Sequence, residues 1–123
     1  MDLRSTLPQT IRLGLTRYTI ACESAEWRSD NEADGMSDFK HFVIHLVTEG
    51  RPLSEIYNTL IHELLHVCYR EWHIKPRCSE EHTVTSLGFA LASLYAQNPP
   101  LLQAMLKISK ELAKDGGHGS KRD

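Results

Sequence analysis

The chain has 123 residues, 41% hydrophobic and 24% charged, which suits one soluble domain with a real core and leaves no room for a second. Fourteen Lys and Arg against sixteen Asp and Glu give a net charge of -2, so no basic excess advertises a nucleic-acid surface. The opening MDLRSTLPQT lacks the apolar core of a secretory signal, and no apolar run is long enough to span a bilayer, so a cytoplasmic location without a membrane partner is expected.

Thr10 to Cys22 alternates imperfectly, is rich in β-branched residues and predicts a strand. Glu23 to Asp38 is polar, acidic and glycine-containing, and reads as a loop carrying Trp27 as an anchor or contact point. Phe39 to Val47 predicts a second strand, with Phe39, His41, Val43, His45 and Val47 on one face and Lys40, Phe42, Ile44 and Leu46 on the other.

A helix follows over Ser54 to Trp72, with Pro52 near its start and Ser54 as N-cap. Pro76 breaks it, and Ser79 caps a second helix that stops at Asn98-Pro99-Pro100. A last amphipathic helix follows from Leu101, then a glycine-rich tail. The expected fold is α+β: a small antiparallel sheet packed on a three-helix set, one domain over residues 1–113 with a flexible tail over 114–123. Cys22, Cys68 and Cys78 form an odd set without a C-x-x-C pair, so free thiols are expected.

The central helix contains LIHELLHVCY, Leu60 to Tyr69. At 100° per residue, Glu55, Asn58, Thr59, His62, His66, Tyr69 and His73 share one stripe, and apolar residues cover the rest. A helix apolar round most of its circumference is expected to be buried, so its polar stripe must face something that repays desolvation. His62 and His66, four apart, can aim both imidazoles at one Zn²⁺. Glu63 lies at the stripe's edge, placed to act as general base rather than ligand. This is the H-E-x-x-H arrangement of zinc hydrolases; the alternative is a pair of hydrogen-bonded core histidines.

A catalytic zinc site usually takes three protein ligands. Tyr69 and Trp72 stand where a metzincin needs glycine and histidine, and His73 sits one residue late. The next helix carries an apolar stripe of Val84, Leu87, Leu91 and Leu94. Extended back one turn, it brings Glu80 to its middle and Glu81 to its edge. Glu80 is therefore the first choice of third ligand, then Glu81, then His82; the plain alternative is a favourable helix-dipole position. Cys78 is a further metal candidate, and Gly88 a possible point of close helix approach.

The segments TLIHELLHVCY, EEHTVTSLGFAL and NPPLL resemble minimal gluzincin-type zinc metallopeptidase domains, the small H-E-x-x-H proteins of phages and prophages related in layout to ImmA/IrrE and SprT-like domains. The resemblance covers about Phe39 to Leu102. It implies His62, His66 and one of Glu80 or Glu81 as zinc ligands, Glu63 as the residue that activates water, and a strand edge before the helix that takes an extended peptide.

An oxyanion donor is sought among Tyr69, His73, His41 and Tyr95, with Tyr69 first because it follows His66 on the stripe; a plain buried tyrosine is the rival reading. His41 and His45 are cleft candidates on one strand face, and Asn58 and Thr59 are candidates for fixing the imidazole tautomers. Two functions compete: a zinc-dependent peptidase acting on an extended peptide or protein, and a zinc-stabilised regulatory or binding protein with little or no turnover.

Overall fold

A two-residue turn starts the sheet. The computed structural model describes residues 1–75, 77 and 79–120, with side chains through 114. A single helical turn, α1 (Leu3–Thr6), leads into the hairpin of β1 (Thr10–Leu13) and β2 (Thr16–Glu23). Gly14 sits at the first turn position with φ +64°, where a side chain would strain the backbone.

The polar stretch read as a loop is ordered differently. Ser24 accepts the Trp27 N–H and caps α2 (Ala25–Asn31), and β3 (Gly35–Asp38) follows. The next strand, β4 (Val43–Val47), starts later than its sequence pattern suggests. Asp38 accepts the N–H groups of Lys40 and His41, and Phe42 takes φ +57°, so residues 39–42 turn rather than extend.

The sheet runs β1-β2-β4-β3. It is mixed rather than antiparallel throughout: the chain leaves β2 through α2, lays β3 at the edge, and returns as β4 parallel to β2 and antiparallel to β3. The strand expected at an edge, β4, is therefore internal, and β3 is the edge.

Three helices follow, α3 (Leu53–Glu71), α4 (Glu80–Gln97) and α5 (Pro99–Ser120), the last running into the segment read as a tail; α3 and α4 pack on the sheet and α5 packs on both of them. Pro52, not Ser54, occupies the α3 N-cap position, while Ser79 caps α4 by accepting the His82 N–H at 3.1 Å, as its sequence predicts. Ile11, Leu13 and Tyr18 join Ile44 and Leu46 under Leu60, Leu64 and Val67 of α3 and Leu94 of α4. Each large aliphatic buried here contributes about 1.5–3 kcal/mol. This is the α+β class that the sequence predicts. Among the described residues no helix is long and apolar enough to cross a membrane.

The two sheet edges are treated differently. Asn98 bonds both the N–H and the carbonyl of Arg12, and Gln97 does the same at Gly14, so side-chain amides close the β1 edge. On the other side, Val47 N–H donates to the Asp34 carbonyl, which sets the alternation of the β3–β4 ladder. Gly35 and Ser37 consequently direct their backbone N–H and C=O groups away from β4, along a free edge.

Candidate metal centre

On α3 the buried face is Ile56, Leu60, Glu63, Leu64, Val67 and Cys68. The stripe expected to face the interior instead meets solvent: Glu55, Asn58, His62, His66, Tyr69 and His73 are exposed and Thr59 is half-buried. The helix is amphipathic in the ordinary sense, and its one buried carboxylate is Glu63, at 5% exposure. The 100° between His62 and Glu63 turns the carboxylate under β3 while the imidazoles stay outside.

His62 and His66 converge. Their Nε2 atoms stand 3.1 Å apart, with ring centroids at 4.7 Å and planes crossing at 79°. Two neutral imidazoles bound tetrahedrally to one Zn²⁺ need a nitrogen separation of about 3.3 Å. The pair fits that requirement.

Glu63 is gripped from β3. The Ser37 hydroxyl donates to Glu63 Oε1 at 2.8 Å and lies 3.4 Å from the Glu63 carbonyl. One register step earlier, Gly35 lets the strand touch the helix: a Cβ there would meet Thr59 Cγ2 at 2.7 Å and Glu63 Cγ at 3.3 Å. Thr59 cannot easily yield, because its hydroxyl donates to the Glu55 carbonyl and accepts from Arg51 Nη2.

Arg51, with its side chain 3% exposed, also donates to the carbonyls of Val47, Asp34 and Glu55, and pairs with Asp34 Oδ2 at 3.6 Å. Among the described residues its buried Nε has no hydrogen-bond partner. Asp34 is held from the other side by Arg28 Nε at 2.6 Å. A cleft of about 260 Å³, lined by Asp34, Gly35, Asn58, Thr59, His62 and Glu63, opens against this network.

Among the described residues, no third His, Cys, Asp or Glu joins the histidine pair in a group able to hold a metal. Glu80 and Glu81 stand exposed in the first turn of α4, where Glu81 lies 3.5 Å from the Thr85 hydroxyl. The apolar stripe used to aim them does not extend that far. Val84 is 59% exposed, and the packed face of α4 is Leu87, Ala90, Leu91 and Leu94. His82 is exposed too, and Cys78 lies outside the described residues.

Tyr69 is exposed one turn beyond His66. His73 has left the helix, past the C-cap at Trp72, with φ +51°. Tyr95 is exposed on α4. An added Cβ at Gly88 meets nothing within 4 Å, so no close approach requires that glycine.

His41 is exposed and binds Asp38 Oδ2 through Nδ1 at 2.8 Å, a hydrogen bond that holds the Asp38 carboxyl below its ordinary range. His45 occupies the sheet face away from α3, where it bonds Glu23 and stacks on Trp27 at 5.1 Å. It anchors α2 and takes no part in the cleft. Thr59 spends its hydroxyl on Arg51 and Glu55 rather than on an imidazole. Cys68 is buried and its thiol is pushed up to about 11, while burial also raises half-buried Cys22; both are poor nucleophiles at neutral pH.

Ser37, Gly35, Arg51 and Asp34 were not among the residues singled out from sequence. The one available signal was Gly35 in a short polar run, since a glycine beside a strand marks close backbone approach. No family model matches the chain, and neither the curated proteins nor the solved structures contain a significant match.

Proposed function

We propose that the chain is a zinc-dependent peptidase of the H-E-x-x-H kind, with His62 and His66 as ligands and Glu63 as general base. The observation that carries the reading is the pairing of two convergent imidazoles with a buried carboxylate on the adjoining helix position, His62 and Glu63 lining one cleft. Bound Zn²⁺ would supply a Lewis acid that polarises a peptide carbonyl and makes water more acidic. Glu63 takes the proton from that water as its oxygen adds to the carbonyl carbon, and returns it to the leaving amine nitrogen as the C–N bond breaks.

The free edge at Gly35 and Ser37 supports an extended substrate, since their outward amides and carbonyls can pair with one more strand. The first turn of α4 is the proposed source of the third ligand, Glu80 ahead of Glu81. Tyr69 is the proposed oxyanion donor because it follows His66 on the exposed stripe. The test is zinc content and peptide hydrolysis together: Glu63→Gln should keep the metal and lose turnover, and His62→Ala should lose both. Retained hydrolysis in Glu63→Gln refutes the assigned base.

A second reading is favoured by a different observation: the histidine pair is exposed, and among the described residues no third ligand accompanies it. On that reading the protein is a zinc-stabilised regulatory or binding protein with little turnover. Its biological effect then survives Glu63→Gln and is lost with His62→Ala.

A further inference from the structure

A carboxylate in the middle of a packed helix costs several kcal/mol unless its charge is compensated, and an aliphatic side chain at this position would serve the fold better. Glu63 has no cationic partner among the described ion pairs. What it has is one side-chain donor, the Ser37 hydroxyl on Oε1. That donor comes from the edge strand, and the strand is brought into range by the side-chain-free contact of Gly35 on Thr59.

We infer that Ser37 is the positioning residue of Glu63: its hydroxyl fixes Oε1 on the strand side, so that Oε2 is the oxygen offered to water in the cleft shared with His62. The inference rests on the peptidase reading above and deepens it. Geometry is the reason. A glutamate side chain has three rotatable bonds, and one hydrogen bond from a rigid strand selects among their rotamers. The same strand carries the outward backbone groups of Gly35 and Ser37, so base and substrate strand share one support.

The experiment uses zinc-loaded protein and a fluorogenic mixture of randomised peptides. It compares the wild type with Ser37→Ala, Ser37→Thr and Ser37→Cys for zinc affinity, melting temperature, kcat and KM. The expected result is a kcat lowered by about tenfold to a hundredfold in Ser37→Ala, the range of one hydrogen bond to a charged group. KM and zinc affinity should stay as in wild type. Ser37→Thr, which keeps the hydroxyl, should recover most of the turnover, and Ser37→Cys, a weak donor of similar size, should fall between. Wild-type kcat in Ser37→Ala overturns the inference while leaving the peptidase reading intact, even if the melting temperature drops. A wild-type protein that binds zinc and cleaves none of the peptides overturns the peptidase reading, and the positioning role with it.

Discussion

His62 and His66 meet through their Nε2 atoms, 3.1 Å apart on the exposed side of α3. That separation serves equally for one imidazole donating to the other and for two lone pairs turned toward a cation. The two cases part on titration with zinc. A ligand bound only by the folded state raises stability by mass action, about 2.7 kcal/mol at one hundred times Kd. The wild-type melting temperature should rise with zinc by several degrees, and neither His62→Ala nor His66→Ala should respond. Equal responses in all three proteins would place the ion elsewhere.

Gly35→Ala should destabilise the protein by about 1–3 kcal/mol, the usual cost of overpacking a tight contact. Its backbone φ is not positive, so the penalty comes from space and not from strain. The nearest obstacle to a new methyl is Thr59 Cγ2 at 2.7 Å, held in place by the two hydrogen bonds of the Thr59 hydroxyl. Thr59→Ser removes that methyl and keeps the hydroxyl. The double variant should therefore recover most of the loss in urea unfolding, whereas simple additivity of the two changes would show that the contact does not matter.

Much of the helical layer was legible. The apolar run of α3 and the Ser79 cap give both ends of α3 and the start of α4 within about two residues, because capping acts locally. The histidine pair was legible for the same reason: four residues along a helix is a distance. The edge strand was not. Gly35–Asp38 reads Gly-Met-Ser-Asp, too short and with too little apolar character to announce a strand, and it exists because β4 and α3 offer it partners. Nor did periodicity reveal which face of α3 is buried, since Ile61 and Leu65 spread apolar character towards the histidines. The position of Glu63, 100° away from His62, then looked like an edge when it is the interior. On α4 the packed face begins at Leu87 while Val84 is exposed, so the apolar stripe does not fix where the first turn points.

Arg51 ties three elements together, so its loss should be felt on the edge strand. One guanidinium reaches carbonyls of β4, of the residue before β3, and of α3, as well as Thr59 Oγ1. A lysine ammonium has no planar fork to span them. Arg51→Lys should cost about 2–4 kcal/mol, comparable with breaking a buried charged network. The Met36 amide, paired with His45 across the ladder, should exchange its hydrogen much faster in the variant. Protection equal to wild type would show that β3 is held by β4 alone.

At the far end of α3, Glu71 accepts from Tyr18 Oη at 2.5 Å through Oε2 and from Thr16 Oγ1 at 2.7 Å through Oε1, fastening the helix to the hairpin. Burial, reinforced by the Glu71 carboxylate, raises the Tyr18 phenol above its ordinary range. The phenol is neutral when protonated, so the folded state holds this proton more tightly than the unfolded chain does. Its contribution is thus fully present below a pH of about 10 and is lost as pH rises from there towards the folded-state value. Cys68, pushed up to about 11, acts with the same sign from slightly lower pH. Urea midpoints measured from pH 8 upward should fall steeply in the wild type. In Tyr18→Phe they should begin lower, for want of the hydrogen bond, and decline with the shallower slope that Cys68 and Cys22 impose; a slope unchanged from wild type would mean that Tyr18 does not titrate with unfolding.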